Sequence, residues 1–242
     1  MSDRIFDSLW DGFTPENDIE FKSVETIRDF QEEKLHTALS FLEKKSPFYK
    51  RMFSKCGIDP SRIRHIDDLV KIPFTTKKDL QIFGEDFLCV PRREVIDFIT
   101  TSGTLGDPVT FCCTENDLQR LAYNEMKSFA CAGLTPDSVV QLMTTIDKRF
   151  MAGLAYFLGL RKLGAGVVRV GNGIPELQWD TIRRIKPDTI MCVPSFILKL
   201  LDYAKSHDID YQNSSIKRII GIGEGLRNQD FSLNLLGSKI HE

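Results

Sequence analysis

The sequence lacks three features that would define a protein class at once: a long apolar run, a cysteine framework and an excess of one charge. No apolar run approaches the ~20 residues that a membrane-spanning helix needs, so we expect no membrane partner. The 32 basic and 34 acidic residues give a formal net charge of −2, which provides no basic field for nucleic acid. The N-terminus alternates acidic and aromatic residues, unlike a signal peptide, so the predicted compartment is the cytoplasm.

Cysteine and histidine are few and scattered. The six cysteines form no C-x-x-C pair, and the adjacent Cys112 and Cys113 would point to opposite faces of a strand. The four histidines lack metal-ligand spacing as well. We therefore expect neither a structural zinc site, nor protein ligands for another metal, nor a disulfide framework. The composition, 42% hydrophobic and 27% charged over 242 residues, is that of a globular protein and excludes intrinsic disorder.

The secondary-structure pattern changes near residue 90. Residues 1–90 read as a mainly helical N-terminal section, and residues 91–242 as an α/β nucleotide-binding subdomain whose mostly parallel sheet is flanked by helices. The predicted strands are Val95–Thr100, Val109–Cys113, Val139–Met143, Gly166–Val170, Thr189–Val193 and Arg218–Ile222. The predicted helices are Val24–Lys45, Phe48–Cys56, Lys77–Phe83, Glu115–Ala132, Met151–Leu163, Glu176–Ile185, Ser195–His207 and Asn228–Leu236.

A glycine-rich turn between two predicted strands is the most informative stretch. The run Thr100–Pro108 reads TTSGTLGDP and holds four hydroxyl residues and two glycines. Glycine lets the backbone approach a ligand closely, and successive backbone N–H groups with nearby hydroxyls can cradle a polyphosphate. The run is not a Walker A loop, because Gly-Lys-Ser/Thr is missing. The alternative interpretation is an ordinary hairpin turn rich in Ser, Thr and Gly.

Thr100–Pro108 resembles the phosphate loop of the adenylate-forming enzymes, in which T-S-G-T-T-G-x-P is usual. Three flanking segments narrow the resemblance to the phenylacetate–coenzyme A ligase family: Ser46–Tyr49, Leu69–Leu80 and Thr114–Leu118. Together, in this order and spacing, the segments are specific. The resemblance implies that the fold is similar to part of the large N-terminal domain of the adenylate-forming enzymes.

The resemblance implies a ligase reaction in two steps. A carboxylic acid, aromatic in this family, attacks the α-phosphorus of ATP with Mg²⁺ assisting, and coenzyme A then displaces AMP to leave a thioester. Negative charge that develops on transferring phosphates needs preorganised donors, which the loop offers. The residues that the resemblance implies for phosphate binding are Thr101, Ser102, Gly103, Thr104 and Gly106.

Two further segments match the family less tightly. Gly223 and Glu224 resemble the turn beside the adenine and the acyl group, although Glu224 can also be read as a carboxylate at a helix N-terminus. Phe150 and Gly153 resemble the segment that shapes the acyl pocket, and Phe150 can equally be read as a core residue. For Ser195, in a segment of the same fold, we expect a helix-capping role.

The sequence departs from the family in two residues and in length. Leu105 replaces the second threonine of the loop and removes one hydroxyl, and Gly225 stands where proline is common. Members of the family are much longer, so the chain is expected to be an N-terminal portion that lacks the C-terminal half and the lid domain. The catalytic residues of the family lie in that half, so none is assigned here.

Three functions therefore stay open at this point. The chain is part of an acid–coenzyme A ligase, or it is a nucleotide-binding or structural fragment without turnover, or it belongs to the sister activity that transfers AMP to a deazaflavin cofactor. The expected small-molecule partners are ATP, coenzyme A and a carboxylic acid. A second copy of the chain is a further expected partner, because a parallel sheet that ends midway exposes its edge.

Overall fold

The computed structural model of the protein describes residues 19–101 and 107–241. These residues belong to two compact units, which divide between Arg120 and Leu121. The division predicted near residue 90 marks the change from helices to strands and, as a domain boundary, stays a prediction. No helix of the described residues is long and apolar enough to cross a membrane.

Within the described ranges, the first unit consists of helices followed by one β-hairpin and the start of a further helix. Its helices are α1, Val24–Lys45, α2, Pro47–Cys56, and α3, Lys77–Phe83, which confirms all three predicted helices. Short 3₁₀ helices connect them at Ile19–Phe21, Pro60–Arg62, Ile66–Lys71, Gly84–Phe87 and Arg92–Glu94. Three buried side chains, Leu39, Phe53 and Ile63, form the core of this unit.

Capping residues fix where these helices begin. The Ser46 hydroxyl accepts a hydrogen bond from the Tyr49 backbone N–H at 3.3 Å, and Pro47 takes the first helical position, where no N–H is needed. Thr76 and Asp79 form the predicted capping box, in which each side chain accepts from the other's backbone N–H. The sequence therefore specifies the starts of α2 and α3 locally.

The hairpin consists of β1, Asp97–Thr100, and β2, Thr110–Cys113, paired antiparallel with Thr100 opposite Thr110. Both strands were predicted to within two residues. Cys112 and Cys113 point to opposite sides, as the strand period requires, and Cys113 is the buried one of the two.

The second unit is a four-stranded parallel sheet with helices on both faces. The strands are β3, Val139–Leu142, β4, Gly166–Arg169, β5, Thr189–Cys192, and β6, Arg218–Gly221, in the order β4-β3-β5-β6. The helices are α4, Glu115–Cys131, whose residues up to Arg120 belong to the first unit, α5, Met151–Leu163, α6, Pro175–Ile185, α7, Pro194–Ser206, and α8, Leu235–His241. The predicted α/β class with a parallel sheet is confirmed.

Successive side chains along the strands point to opposite faces of the sheet and belong to two separate hydrophobic clusters. Leu142 of β3 and Met191 of β5 pack with Phe129 of α4 and Leu160 of α5. On the other face of the sheet, Ile190 and Cys192 of β5 pack with residues of two different helices, Ile182 of α6 and Ile197 and Leu200 of α7. Different helices therefore cover the two faces. Near-continuous apolar strands buried on both faces are typical of such a sheet.

One predicted helix is wrong in most of its length. The segment predicted as a helix over Asn228–Leu236 forms a turn, in which the Asn228 N–H donates to the Ser232 carbonyl at 2.9 Å and Arg227 bridges to Leu233. The helix α8 begins only at Leu235, where the Asn234 side chain accepts from the Gly237 N–H at 2.8 Å. Asn, Asp and Ser side chains bond to nearby backbone groups and so compete with a helix, which explains the error.

Candidate functional site

The carboxyl ends of the four parallel strands meet at one edge of the sheet. The connection from β3 leads to β4 on one side, whereas the next strand, β5, pairs with β3 on the other side. This reversal makes the crevice between the ends of β3 and β5 a topological switch point, where open α/β sheets bind their ligands. The residues after each strand end are therefore the candidate site.

The loop after β6 contains the predicted Gly223 and Glu224. Gly223 has a φ of +77°, in the left-handed region that glycine adopts without strain. The Glu224 carboxylate accepts two hydrogen bonds from Ser195, one from the backbone N–H at 2.7 Å and one from the hydroxyl at 2.9 Å. These bonds place the Glu224 carboxylate at the N-terminus of α7 rather than of the helix predicted to follow it, and its place beside the adenine stays a prediction.

The capping role expected for Ser195 is wrong, because its hydroxyl donates a hydrogen bond where a capping side chain would accept one. Val193 occupies the capping position of α7 and Pro194 the first helical position, so Ser195 lies one residue inside the helix. Its hydroxyl donates to Glu224 instead of accepting from the backbone. A carboxylate from the neighbouring strand end thus does what a capping side chain would do, because it satisfies an N–H group that the helix leaves free.

The loop after β3 ends at Phe150 and leads into helix α5, whose first turn contains Gly153. Phe150 directly precedes the helix and its side chain is 42% exposed, so the interpretation as a core residue is wrong. Gly153 is required by close packing, since a Cβ atom there would stand 1.8 Å from the Thr145 carbonyl oxygen. Both residues lie at the carboxyl edge of the sheet, where an acyl pocket was predicted; that role stays a prediction.

Most of the predicted phosphate loop lies outside the described residues. This holds for Ser102, Gly103, Thr104 and Gly106. Thr101 is described: its N–H donates to the Val109 carbonyl at 3.0 Å, and its hydroxyl oxygen accepts from the Val109 N–H at 3.0 Å. Thr101 therefore closes the hairpin between β1 and β2, and its hydroxyl proton is donated to none of the described residues.

Two of the cysteines, Cys113 and Cys192, are buried. Burial raises the pKa of the Cys113 thiol to about 11 and that of the Cys192 thiol to about 12, so both stay protonated. The residues that the structure describes contain no group of three or more His, Cys, Asp or Glu side chains that could hold a metal ion. All six cysteines are free thiols.

Sequence reasoning missed the polar residues around the ends of β3 and β4. Gln141 of β3 and Gln178 of α6 are fully buried, and the Gln141 amide donates to the Gln178 side-chain oxygen at 2.7 Å. Gln178 in turn donates to the carbonyls of Gly171 and Gly173, each at 3.0 Å, and so holds the loop after β4. The signal that could have revealed this buried polar pair is Gln141 itself, a glutamine inside an otherwise apolar predicted strand.

The fold is that of the adenylate-forming coenzyme A ligases. A solved structure of 2-hydroxyisobutyryl-CoA ligase, in an open conformation with 2-HIB-AMP and CoA, matches 84% of this chain and 49% of that chain with a TM-score of 0.74 at 21% identity. The postadenylation state of that ligase with 2-HIB-AMP matches 85% of this chain with the same TM-score of 0.74. No family model matches the sequence.

Curated phenylacetate–coenzyme A ligases are similar to this chain in sequence. The enzyme of that name from Thermus thermophilus is 33% identical over 196 residues, which is 80% of this chain and 43% of its own length. The one from Pseudomonas putida is 33% identical over 193 residues, or 79% of this chain and 44% of its own length. These relatives confirm the resemblance to the phenylacetate–coenzyme A ligase family, and this chain spans less than half of their length.

Proposed function

We propose that this chain forms part of a ligase that activates a carboxylic acid with ATP and passes the acyl group to coenzyme A. The observation that carries the proposal is the 33% identity to phenylacetate–coenzyme A ligases over four fifths of the chain. The parallel sheet supports it independently, because its switch point offers a crevice of the kind in which nucleotides bind.

Each site residue has a role in this proposal. The loop residues Thr101, Ser102, Gly103, Thr104 and Gly106 hold the phosphates of ATP through backbone N–H groups and hydroxyls. Gly223 lets the chain pass close to the adenine, and Glu224 fixes that turn against α7. The exposed ring of Phe150 forms one wall of the acyl pocket, and Gly153 keeps the helix behind it close to the sheet.

The acid is aromatic in this proposal. An exposed phenylalanine beside the switch point offers a flat apolar face to another ring, and such aromatic pairs are favoured beyond the area they bury. Mg²⁺ enters as part of Mg·ATP, since it is commonly bound through substrate phosphates, and we assign none of the described residues to it. We also infer a cytoplasmic location, where ATP and coenzyme A are available.

A calorimetric titration of the full 242-residue chain with Mg·ATP tests the nucleotide site. The double variant Ser102→Ala with Thr104→Ala removes two hydroxyl donors to charged oxygens and is expected to weaken binding about tenfold or more. The matched control is Ser54→Ala with Ser206→Ala, two exposed serines on helices α2 and α7. Equal ATP affinity in both double variants would exclude the loop as the phosphate site.

Pyrophosphate exchange separates a ligase from a nucleotide-binding fragment. If the chain forms acyl-adenylate, phenylacetate stimulates exchange of labelled pyrophosphate into ATP, whereas acetate stimulates it less. ATP binding without exchange would favour the alternative of a nucleotide-binding chain without turnover. Self-association through the sheet edge also stays a prediction, and light scattering on the same samples measures it.

A further inference from the structure

An open cavity of about 340 Å³ lies at the carboxyl ends of β3 and β4, next to the switch point. Its walls are the loop after β3 and the loop after β4, and both belong to the same compact unit. The polar residues that line it are Thr144, Thr145, Asp147, Lys148, Arg169 and Asn172.

The cavity is lined by two cationic side chains that form no ion pair with a described residue. Asp147 is the one acidic residue lining it, and its carboxylate accepts a hydrogen bond from the Thr145 hydroxyl, which lowers the pKa of Asp147. The charge of Lys148 still acts on Asp147 and lowers the pKa of its carboxyl group further. Neither Lys148 nor Arg169 forms an ion pair with another described residue. The Arg169 guanidinium lies 5.3 Å from the centre of the Phe157 ring, a contact that leaves its N–H donors free for an anion.

A buried hydroxyl at the same place also lacks a partner. Thr144 is only 5% exposed and lines the cavity, and its Oγ1 atom forms no hydrogen bond with any described residue. Buried polar atoms are nearly always paired in folded proteins, so each exception calls for a physical cause. The Thr144 Oγ1 atom has almost no accessible surface, so a ligand oxygen is such a cause once the side chain turns its hydroxyl toward the cavity.

The walls of the cavity are held in place from the interior. The buried Gln178 donates to the carbonyls of Gly171 and Gly173, which flank Asn172, and Gln141 of β3 holds Gln178 in turn. A chain of hydrogen bonds therefore connects the strand to the loop that carries Asn172. A site whose wall is fixed in this way binds without first paying for the ordering of that loop.

We propose that this cavity binds an oxyanion, a carboxylate or phosphate group, through Arg169, Lys148 and the Thr144 hydroxyl. The guanidinium and ammonium groups supply charge, and the hydroxyl fixes one oxygen. The cavity is two residues from Phe150 along the loop after β3, so within the proposed function the oxyanion is a second charged group on the bound ligand. That last step rests on the proposed function, whereas the oxyanion site does not.

Titration of the full chain with inorganic phosphate at low ionic strength tests the site. Backbone amide shifts in NMR show where phosphate binds, and the shifted amides are expected in the loops after β3 and β4. Arg169→Ala is expected to weaken phosphate binding about tenfold or more, and Arg169→Lys to restore part of it. Arg161→Ala is the matched control, because Arg161 also stands over the Phe157 ring, at 5.8 Å, but does not line the cavity.

Thr144→Val separates a ligand donor from a merely structural residue. Valine removes the unpaired hydroxyl with little change of shape, so the variant is expected to fold and to unfold at the same or a higher temperature. Phosphate binding by the same variant is expected to weaken about threefold. Unchanged phosphate affinity in both Thr144→Val and Arg169→Ala overturns the proposal, as does the absence of binding by the folded chain up to about 10 mM phosphate.

The Ser102→Ala, Thr104→Ala double variant distinguishes this site from the nucleotide loop. Phosphate binding that survives in that variant and is lost in Arg169→Ala lies in the cavity, whatever the outcome of the ATP titration. Binding that follows the loop variant instead overturns the oxyanion site. Binding of Mg²⁺ or Ca²⁺ in place of phosphate at the same amides also overturns it.

Two pairs of ligands identify the source of the oxyanion. Benzene-1,4-diacetate compared with phenylacetate tests for a second carboxylate on the acid, and coenzyme A compared with dephospho-coenzyme A tests for a phosphate. An advantage for the more charged member that disappears in Arg169→Ala supports the proposal and names the source. Equal affinities within both pairs, for wild type and variant alike, count against it.

Discussion

Two cavities of the second unit differ in how many of their charged and polar side chains are bonded to other described residues. The larger one, about 810 Å³, lies along helix α6 and the end of α7, and the smaller, about 340 Å³, lies at the carboxyl ends of β3 and β4. In the larger cavity Asp180 is paired with Arg183 at 2.8 Å and with Arg184 at 2.7 Å. In the smaller one Arg169 forms no ion pair with a described carboxylate, and Lys148 helps to lower the pKa of Asp147 without forming an ion pair with it. The volume of a cavity therefore does not indicate how its charges are used.

The stacked rings of the larger cavity point to the same difference. The rings of Tyr203 and His207 stack with 3.9 Å between their centres. The His207 Nδ1 atom lies 2.9 Å from the Ser206 hydroxyl and 3.0 Å from the Tyr203 carbonyl. Asp210 accepts two hydrogen bonds from Asn213. These groups bond to each other and stabilise the surface between the helices. Lys186, which also lines the larger cavity, is the exception, because its ammonium group forms no ion pair with a described residue.

The largest expected effect comes from Gly153, at the carboxyl edge. Gly153→Ala places a methyl group 1.8 Å from the Thr145 carbonyl oxygen, so helix α5 has to move away from the loop after β3. We expect a loss of more than about 3 kcal/mol in the free energy of unfolding, measured by urea denaturation. The control is Gly84→Ala, where a Cβ meets nothing within 4 Å; equal losses in both would show that the packing at Gly153 is not tight.

The second effect concerns the buried glutamines that hold the wall of the smaller cavity. Gln178→Leu leaves two glycine carbonyls without a partner and removes one of the two acceptors of the Gln141 amide, which keeps the Gln178 backbone carbonyl at 3.2 Å. We expect it to cost about 2–3 kcal/mol in urea denaturation. The double variant with Gln141→Leu removes both amides and is expected to be more stable than Gln178→Leu alone. Strict additivity of the two single variants would contradict a coupled pair.

Glu224→Gln has a smaller effect at the same edge of the sheet. It removes the negative charge that accepts from the Ser195 N–H and hydroxyl, and we expect a cost of about 1 kcal/mol. Glu43→Gln, on the exposed face of helix α1, is the control and should leave the urea midpoint unchanged. A loss in both variants of the same size would mean that net charge, not the helix cap, causes it.

The smallest effect belongs to Asp180 beside the larger cavity. Hydrogen bonds from Arg184 and Arg183 lower the pKa of Asp180, so its stabilising contribution is full above the ordinary carboxyl pKa and is lost as the pH falls toward the lowered value. Asp180→Asn should therefore be slightly less stable at pH 7 and should lose less stability on acidification. Parallel stability curves for wild type and variant from pH 7 to pH 3 would contradict this.

Most of the fold could be predicted because its signals are local. The run of β-branched residues gave β5 within one residue of Thr189–Cys192, and the capping pair Thr76 and Asp79 gave the start of α3. The turn at Asn228–Leu233 was predicted wrongly, since side chains such as Asp230 bond to the backbone there and so favour the turn that the bridge from Arg227 to Leu233 closes. Periodicity alone contains no information about such a contact.

The site was predictable only in the residues that a motif marks. Gly223 and Glu224 lie where the resemblance expected a turn, at the end of β6. The pairing of Glu224 with Ser195, 29 positions earlier, was not predictable, because it depends on β5 and β6 being neighbours in the sheet. Thr144 and Arg169 were missed for a similar reason, since they meet only when β3 and β4 pair.

The hydrogen bond from Ser195 to Glu224 gives the protein a built-in reporter. Amide protons in the first turn of a helix normally exchange quickly with solvent, because no carbonyl of the helix holds them. The Ser195 N–H donates to the Glu224 carboxylate, with 2.7 Å between the nitrogen and Oε2. This amide proton therefore exchanges slowly only while the loop after β6 stays closed. The exchange rate of this single proton therefore measures how often that loop opens, with or without a ligand beside it.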